Sequence, residues 1–114
     1  MVPRRMPRFR EPVEMSDEKI ELTIEEHVQG ALRCQEAGYD MVEISGIVGY
    51  LVSNFISKYP NIRTDKWGGD IAGRALFMTE IVRRIRLAVG PDYPIIIRLC
   101  GDELLHDRGG NTPE

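Results

Sequence analysis

At 114 residues, with a formal net charge of −3 and 29% charged side chains, the chain has room for one modest core and no bias toward nucleic acid or an acidic partner. No apolar run approaches the ~18 residues of a membrane span, and the start lacks the apolar stretch of a signal peptide, so the expected compartment is the cytoplasm. Cys34 and Cys100 have neither a zinc spacing nor the look of a secreted disulfide framework; both read as reduced, buried residues.

Residues 1–15 read as an extended basic arm or loop, because Arg4, Arg5, Arg8 and Arg10 are interspersed with Pro3, Pro7 and Pro12. Ser16 is a good N-cap, and Asp17 and Glu18 follow in the first turn, where acidic groups favour the helix dipole. Ile20, Ile24, Val28 and Ala31 then recur at helical spacing, and Gly38 stands where the chain needs a left-handed residue. The spacing predicts a helix over residues 17–37. "YDMVEIS" follows as a short strand, with Val42 and Ile44 on one face and Met41, Glu43 and Ser45 on the other.

Residues 46–72 form a long connection rich in glycine, asparagine and aspartate, with one helical turn around Leu51 to Ile56. Long loops inside compact domains are usually functional or disordered. A second helix is predicted over 72–89 from Phe77, Ile81, Ile85 and Ala88, with Arg83, Arg84 and Arg86 suited to its negative pole and Gly90-Pro91 stopping it. "PIIIRLC" reads as a strand buried on both faces, interrupted by Arg98. Thr112, Pro113 and Glu114 carry the signature of another helix start. The order is that of a parallel α/β fold with about two and a half βα units, which either lacks partner strands or takes them from another copy.

In such folds active sites gather at the carboxyl ends of the strands, which singles out the loop from Ser45 to Tyr50, the segment from Asn61 to Arg74 that continues it, and the segment from Arg98 to Asp102. A phenol holds its proton at neutral pH, so Tyr50 could protonate a developing carbanion; the alternative is a ring packed against its own loop. Arg98 needs an anionic or carbonyl-rich partner, either Glu43 on the neighbouring strand or a ligand. "NIRTDKWGGD" reads as a tight, self-hydrogen-bonded loop. His27 reads as a surface or core residue, and His106 lies in a polar loop from which it could reach a site. No metal cluster, P-loop or dinucleotide-binding glycine fingerprint is present.

The stretch from "EAGYDMVEISGIVGY" through "NIRTDKWGGD" to "PIIIRL" resembles the middle of the old yellow enzyme family of flavin-dependent ene-reductases. Its nearest likeness is to the 2,4-dienoyl-CoA reductase and enoate reductase branch. The resemblance implies a partial (β/α)8 TIM barrel over 16–114, with the two strands as the fourth and fifth of eight. It also implies FMN as cofactor, NADH or NADPH as electron donor, and a small enoyl thioester or acid as substrate. Tyr50 then falls at the position that protonates the substrate α-carbon, opposite the flavin hydride. Arg98 falls at the position that contacts the flavin N1/O2 region. Ser45 and Val48 stand where many relatives carry a His/His or His/Asn pair that binds the substrate carbonyl. That departure suits the dienoyl-CoA branch, although a valine cannot donate a hydrogen bond. A whole barrel needs about 250 residues, and the 4Fe-4S cluster and FAD of the multidomain members would bind outside this segment. Two further readings are a non-catalytic half-barrel that self-associates through unpaired strand edges, and a flavin-dependent amine dehydrogenase.

Overall fold

The computed structural model describes residues 13–113. The expected basic arm falls largely on residues outside that range, as does Glu114 of the C-terminal helix signal. Thr112 and Pro113 are in neither helix nor strand.

Helix α1 runs Asp17–Glu36, and its cap is the one expected, with the Ser16 hydroxyl accepting from the Lys19 N–H at 3.2 Å. It ends in a Schellman motif. Gly38 adopts φ 83°, its N–H donates to the Gln35 carbonyl, and the Tyr39 N–H donates to the Cys34 carbonyl. Strand β1 (Val42–Gly46) follows, then the six-residue helix α2 (Leu51–Ile56) inside the long connection. Helix α3 (Ile71–Val89) is capped by Asp70, whose carboxylate accepts from the Gly73 N–H at 2.9 Å. Of the three arginines near its end, only Arg86 serves the carbonyls beyond it, those of Gly90, Pro91 and Tyr93. Arg83 and Arg84 instead pair with Glu80, and Arg84 also reaches Glu21 on α1.

Strand β2 (Ile95–Leu99) lies parallel to β1, with Val42 level with Ile95 and Ser45 level with Arg98. The side-chain period of two sorts the sheet into unlike faces. Val42, Ile44, Ile95 and Ile97 pack against the helices, where the apolar stripes of α1 (Ile20, Ile24, Val28) and α3 (Phe77, Ile81, Ile85) meet. Phe55 of α2 stacks on Phe77 at 4.3 Å between ring centroids, and Trp67 meets the same ring edge-on at 6.5 Å. Glu43, Ser45, Ile96 and Arg98 form the other face, which is exposed. The expectation of a strand buried on both faces therefore fails for β2, where Ile96 is 42% exposed, because among the described residues only one face has a layer on it. A mixed α/β segment with a parallel pair and helices on one side is a partial (β/α) barrel, seen without the strands that would close it.

Candidate functional site

The carboxyl ends of β1 and β2 lie side by side, held close by a missing side chain. A β-carbon on Gly46 would come 2.7 Å from Leu99 Cδ2 and 2.8 Å from the Arg98 carbonyl oxygen. The chain then turns over Val48 and Gly49, closed by the Tyr50 N–H donating to the Ile47 carbonyl at 3.2 Å. Gly49 takes φ 87°, which a type II turn demands at its third position and a β-carbon would resist.

Tyr50 is the N-cap residue of α2, and its carbonyl accepts from the Asn54 N–H and the Ser53 hydroxyl, both at 2.9 Å. The loop is thus closed by backbone and not by the ring. The side chain is left 66% exposed, and among the described residues no hydrogen bond engages its hydroxyl. Val48, in the turn itself, is half exposed and purely aliphatic. Ser45 presents a hydroxyl on the open face, level with Arg98.

Arg98 takes the ion pair that was one of its two expected partners, with Nη2 2.9 Å from the Glu43 carboxylate. The side chain is nonetheless 59% exposed. A pair this open to water contributes about 0–1 kcal/mol, so it orients the guanidinium without committing it. The remaining donors of the fork have no partner among the described residues, and they suit a carbonyl-rich or anionic ring edge such as that of a flavin.

Behind this exposed rim, "NIRTDKWGGD" is a self-hydrogen-bonded loop. The Asn61 amide donates to the Phe55 carbonyl at 2.6 Å and the Trp67 carbonyl at 2.8 Å, while its oxygen accepts from the Arg63 N–H at 3.1 Å. Asp65 accepts from the Trp67 N–H and from the Arg63 guanidinium. The hydrogen bonds from Arg63 hold the Asp65 carboxyl below its usual range, burial opposing them. Trp67, 1% exposed, donates its indole N–H to Asp17 at 2.8 Å, and Arg63 reaches the Met15 carbonyl at 2.9 Å. The loop thereby clasps the start of α1.

His27 is half-buried, donating Nδ1–H to the Thr23 carbonyl at 2.8 Å and meeting Phe77 edge-on, so it is a packing residue. His106 opens a 3-10 turn, His106–Arg108, and its side chain lies outside what is described. Cys34 is half-buried and Cys100 exposed, against the expectation of two buried thiols. Cys100 lies just past the end of β2, where the described residues place no layer over it. Among the described residues no group of acidic, histidine or cysteine side chains could hold a metal ion, and no helix is long and apolar enough to cross a membrane.

A family model described as NADH:flavin oxidoreductase / NADH oxidase matches residues 4–112. The chain belongs to this family. It is 44% identical over 101 residues to a metal reductase of Desulforamulus reducens, covering 89% of this chain and 15% of that protein. It is 38% identical over 105 residues to an N,N-dimethylglycine/sarcosine dehydrogenase of Chromohalobacter salexigens, covering 87% and 15%. Among solved structures, 2-naphthoyl-CoA reductase in complex with 2-naphthoyl-CoA superposes with a TM-score of 0.86 at 42% identity, over 95% of this chain and 16% of that one. The chain therefore spans about a sixth of each of these flavin-oxidoreductase relatives.

The old yellow enzyme resemblance and the partial barrel are thus shown. Arg74 ends the loop segment that strand-end placement singles out, with no individual role legible in the sequence. It is 8% exposed, donating Nε–H to the Ile56 carbonyl at 2.9 Å and Nη1–H to the Gly69 carbonyl at 2.6 Å. Its one visible signal is an arginine in the first turn of a helix, where the dipole disfavours a cation unless carbonyls are waiting for it.

Proposed function

We propose that this segment supplies the proton donor and one cofactor contact of an FMN-dependent oxidoreductase that reduces the C=C bond of α,β-unsaturated thioesters or acids. The observation that carries the reading is the placement, beyond the ends of adjacent parallel strands, of an exposed phenol and an exposed guanidinium whose hydroxyl and spare donors have no partner among the described residues. Bound FMN would supply the hydride, replenished from NADH or NADPH. Arg98 would favour a carbonyl-rich or anionic ring edge placed against its spare donors. A phenol holds its proton at neutral pH, and the hydroxyl of Tyr50 could serve the carbon that turns basic as a hydride arrives. Ser45 offers a hydroxyl for the substrate on the same face as Arg98, and Val48, half exposed in the turn, would offer it only apolar surface. The thioester class is supported by the likeness to a reductase solved with an aryl-CoA.

The test is turnover of crotonyl-CoA by the full-length protein carrying this segment, with FMN and NADH or NADPH. Tyr50→Phe should slow substrate reduction by about 10²–10⁴-fold and leave flavin reduction by the nicotinamide unchanged. Undiminished turnover in that variant removes Tyr50 from the chemistry.

A second reading, oxidation of a C–N bond, is favoured by the likeness to the dimethylglycine/sarcosine dehydrogenase. Assaying sarcosine against crotonyl-CoA separates the two. A third, self-association of a non-catalytic half-barrel, is favoured by the uncovered face of Ile96 and the unpaired strand edges. A monomer saturated with FMN at micromolar concentration would exclude it.

A further inference from the structure

The far end of α2 is held by an unusual number of side chains. The Phe55 carbonyl accepts from Asn61, and the Ile56 carbonyl accepts from Arg74 Nε and from Asn111 Nδ2 at 3.2 Å. The next residue, Ser57, donates its hydroxyl to Glu103 Oε2 at 2.8 Å, and the same oxygen accepts the Asn111 N–H at 2.8 Å. Ser57 and Arg74 are buried. Glu103 and Asn111 belong to the loop that follows β2 and Arg98, whereas α2 begins where Tyr50 ends the loop after β1. The two strand-end loops are therefore joined at the end of α2 remote from the tyrosine.

We propose that Glu103 is a positioning residue, which sets the place of Tyr50 by fixing the C-terminal end of α2 to the loop that follows Arg98. The inference rests on the proton-donor reading of Tyr50. Six helical residues make a lever of about 9 Å, so a tilt of about 6° at the joint displaces Tyr50 by about 1 Å. A displacement of that size can cost on the order of 10²-fold in rate. Glu103 suits the task because one carboxylate oxygen serves both Ser57 and the main chain of Asn111, with the longer Asn111 Nδ2 bond to the Ile56 carbonyl as a second link.

The test is a mutant cycle in the full-length protein with FMN, crotonyl-CoA and NADH. Glu103→Ala should lower kcat about tenfold or more, with KM and FMN occupancy within about twofold of the parent. Glu103→Gln, whose amide oxygen can accept both donors, should recover most of the loss. In a Tyr50→Phe background the Glu103→Ala effect should vanish, since it acts through the phenol; a merely structural loss would persist there. A Glu103→Ala enzyme with parental kcat, or an effect that multiplies with Tyr50→Phe, overturns the inference alone. Parental turnover in Tyr50→Phe by itself overturns the Tyr50 reading and the inference together. If Glu103→Ala loses its cooperative melt, Ser57→Ala, which removes the hydroxyl that the end of α2 donates to Glu103 and leaves the Asn111 main-chain N–H on it, takes its place in the cycle. A kcat loss that vanishes with Tyr50→Phe then supports the inference, and parental kcat or a multiplying effect overturns it.

Discussion

Asn61→Ala is the perturbation whose cost follows most directly from the structure. The side chain is 9% exposed and makes three hydrogen bonds, two donated to the Phe55 and Trp67 carbonyls and one accepted from the Arg63 N–H. Alanine leaves all three backbone groups without a partner in a place water reaches poorly. At about 1 kcal/mol net for each bond, the loss is about 3 kcal/mol, against a total stability on the order of 5–15 kcal/mol for a domain. The loss is local, because the three groups belong to α2 and to the loop clasping α1. Hydrogen exchange reads it directly. Amides of α2 such as those of Asn54 and Ser57, bonded to the carbonyls of Tyr50 and Ser53, should exchange about 100-fold faster, since each 1.4 kcal/mol is a factor of ten. Amides in the middle of α1 should change far less. Acceleration below about fivefold, or an equal acceleration in α1, would refute the claim that Asn61 anchors α2.

Three more outcomes are expected. Gly46→Ala should lower stability by about 1–3 kcal/mol, read as a drop in melting temperature, because the new methyl meets the Arg98 carbonyl oxygen, which cannot turn away as a side chain could; an unchanged melt would mean that the strand ends are looser than they look. Trp67→Phe removes the indole N–H donated to Asp17 together with buried ring volume, for a loss of about 2–4 kcal/mol by urea unfolding; a loss under about 1 kcal/mol would count against the clasp on α1. Because Arg63 holds the Asp65 carboxyl below its usual value, the stability from that pair is present above the unfolded-state pKa near 4 and is lost as pH falls through the lowered folded value. Asp65→Asn should flatten this part of the acid-unfolding curve, followed by Trp67 fluorescence, and a curve parallel to the parent's below about pH 4 would show that the pair contributes nothing there.

The site was legible in the sequence in proportion to how local its causes are. Strand-end placement and the resemblance picked out Tyr50 and Arg98, while the residues alone left Tyr50 open between packing and chemistry. In the structure the turn is closed by the Ile47 carbonyl and Gly49, and among the described residues the ring stays largely exposed, which supports the chemical reading. For Arg98 the sequence offered Glu43 or a ligand, and the structure shows Glu43 in an ion pair too exposed to shut a ligand out. Glu103 and Asn111 gave no signal, because their role consists of bonds to Ser57 and Ile56, 46 and 55 positions away.

The sequence by itself determined the two long helices, the helical turn at 51–56 and the two strands, to within a residue or two of their ends. Ser16, Gly38 and Gly90 act on neighbours within a few residues, and the periods of 3.6 and 2 show which side chains share a face. Only the tertiary structure decided which face was covered. Ile96 and Cys100 look like core residues in a string of letters, but burial is a property of what lies opposite, and opposite them the described residues place nothing. The same holds for the buried joint beneath α2, where carbonyls left over at a helix end are met by polar side chains from distant loops, a match that exists only once the chain has folded.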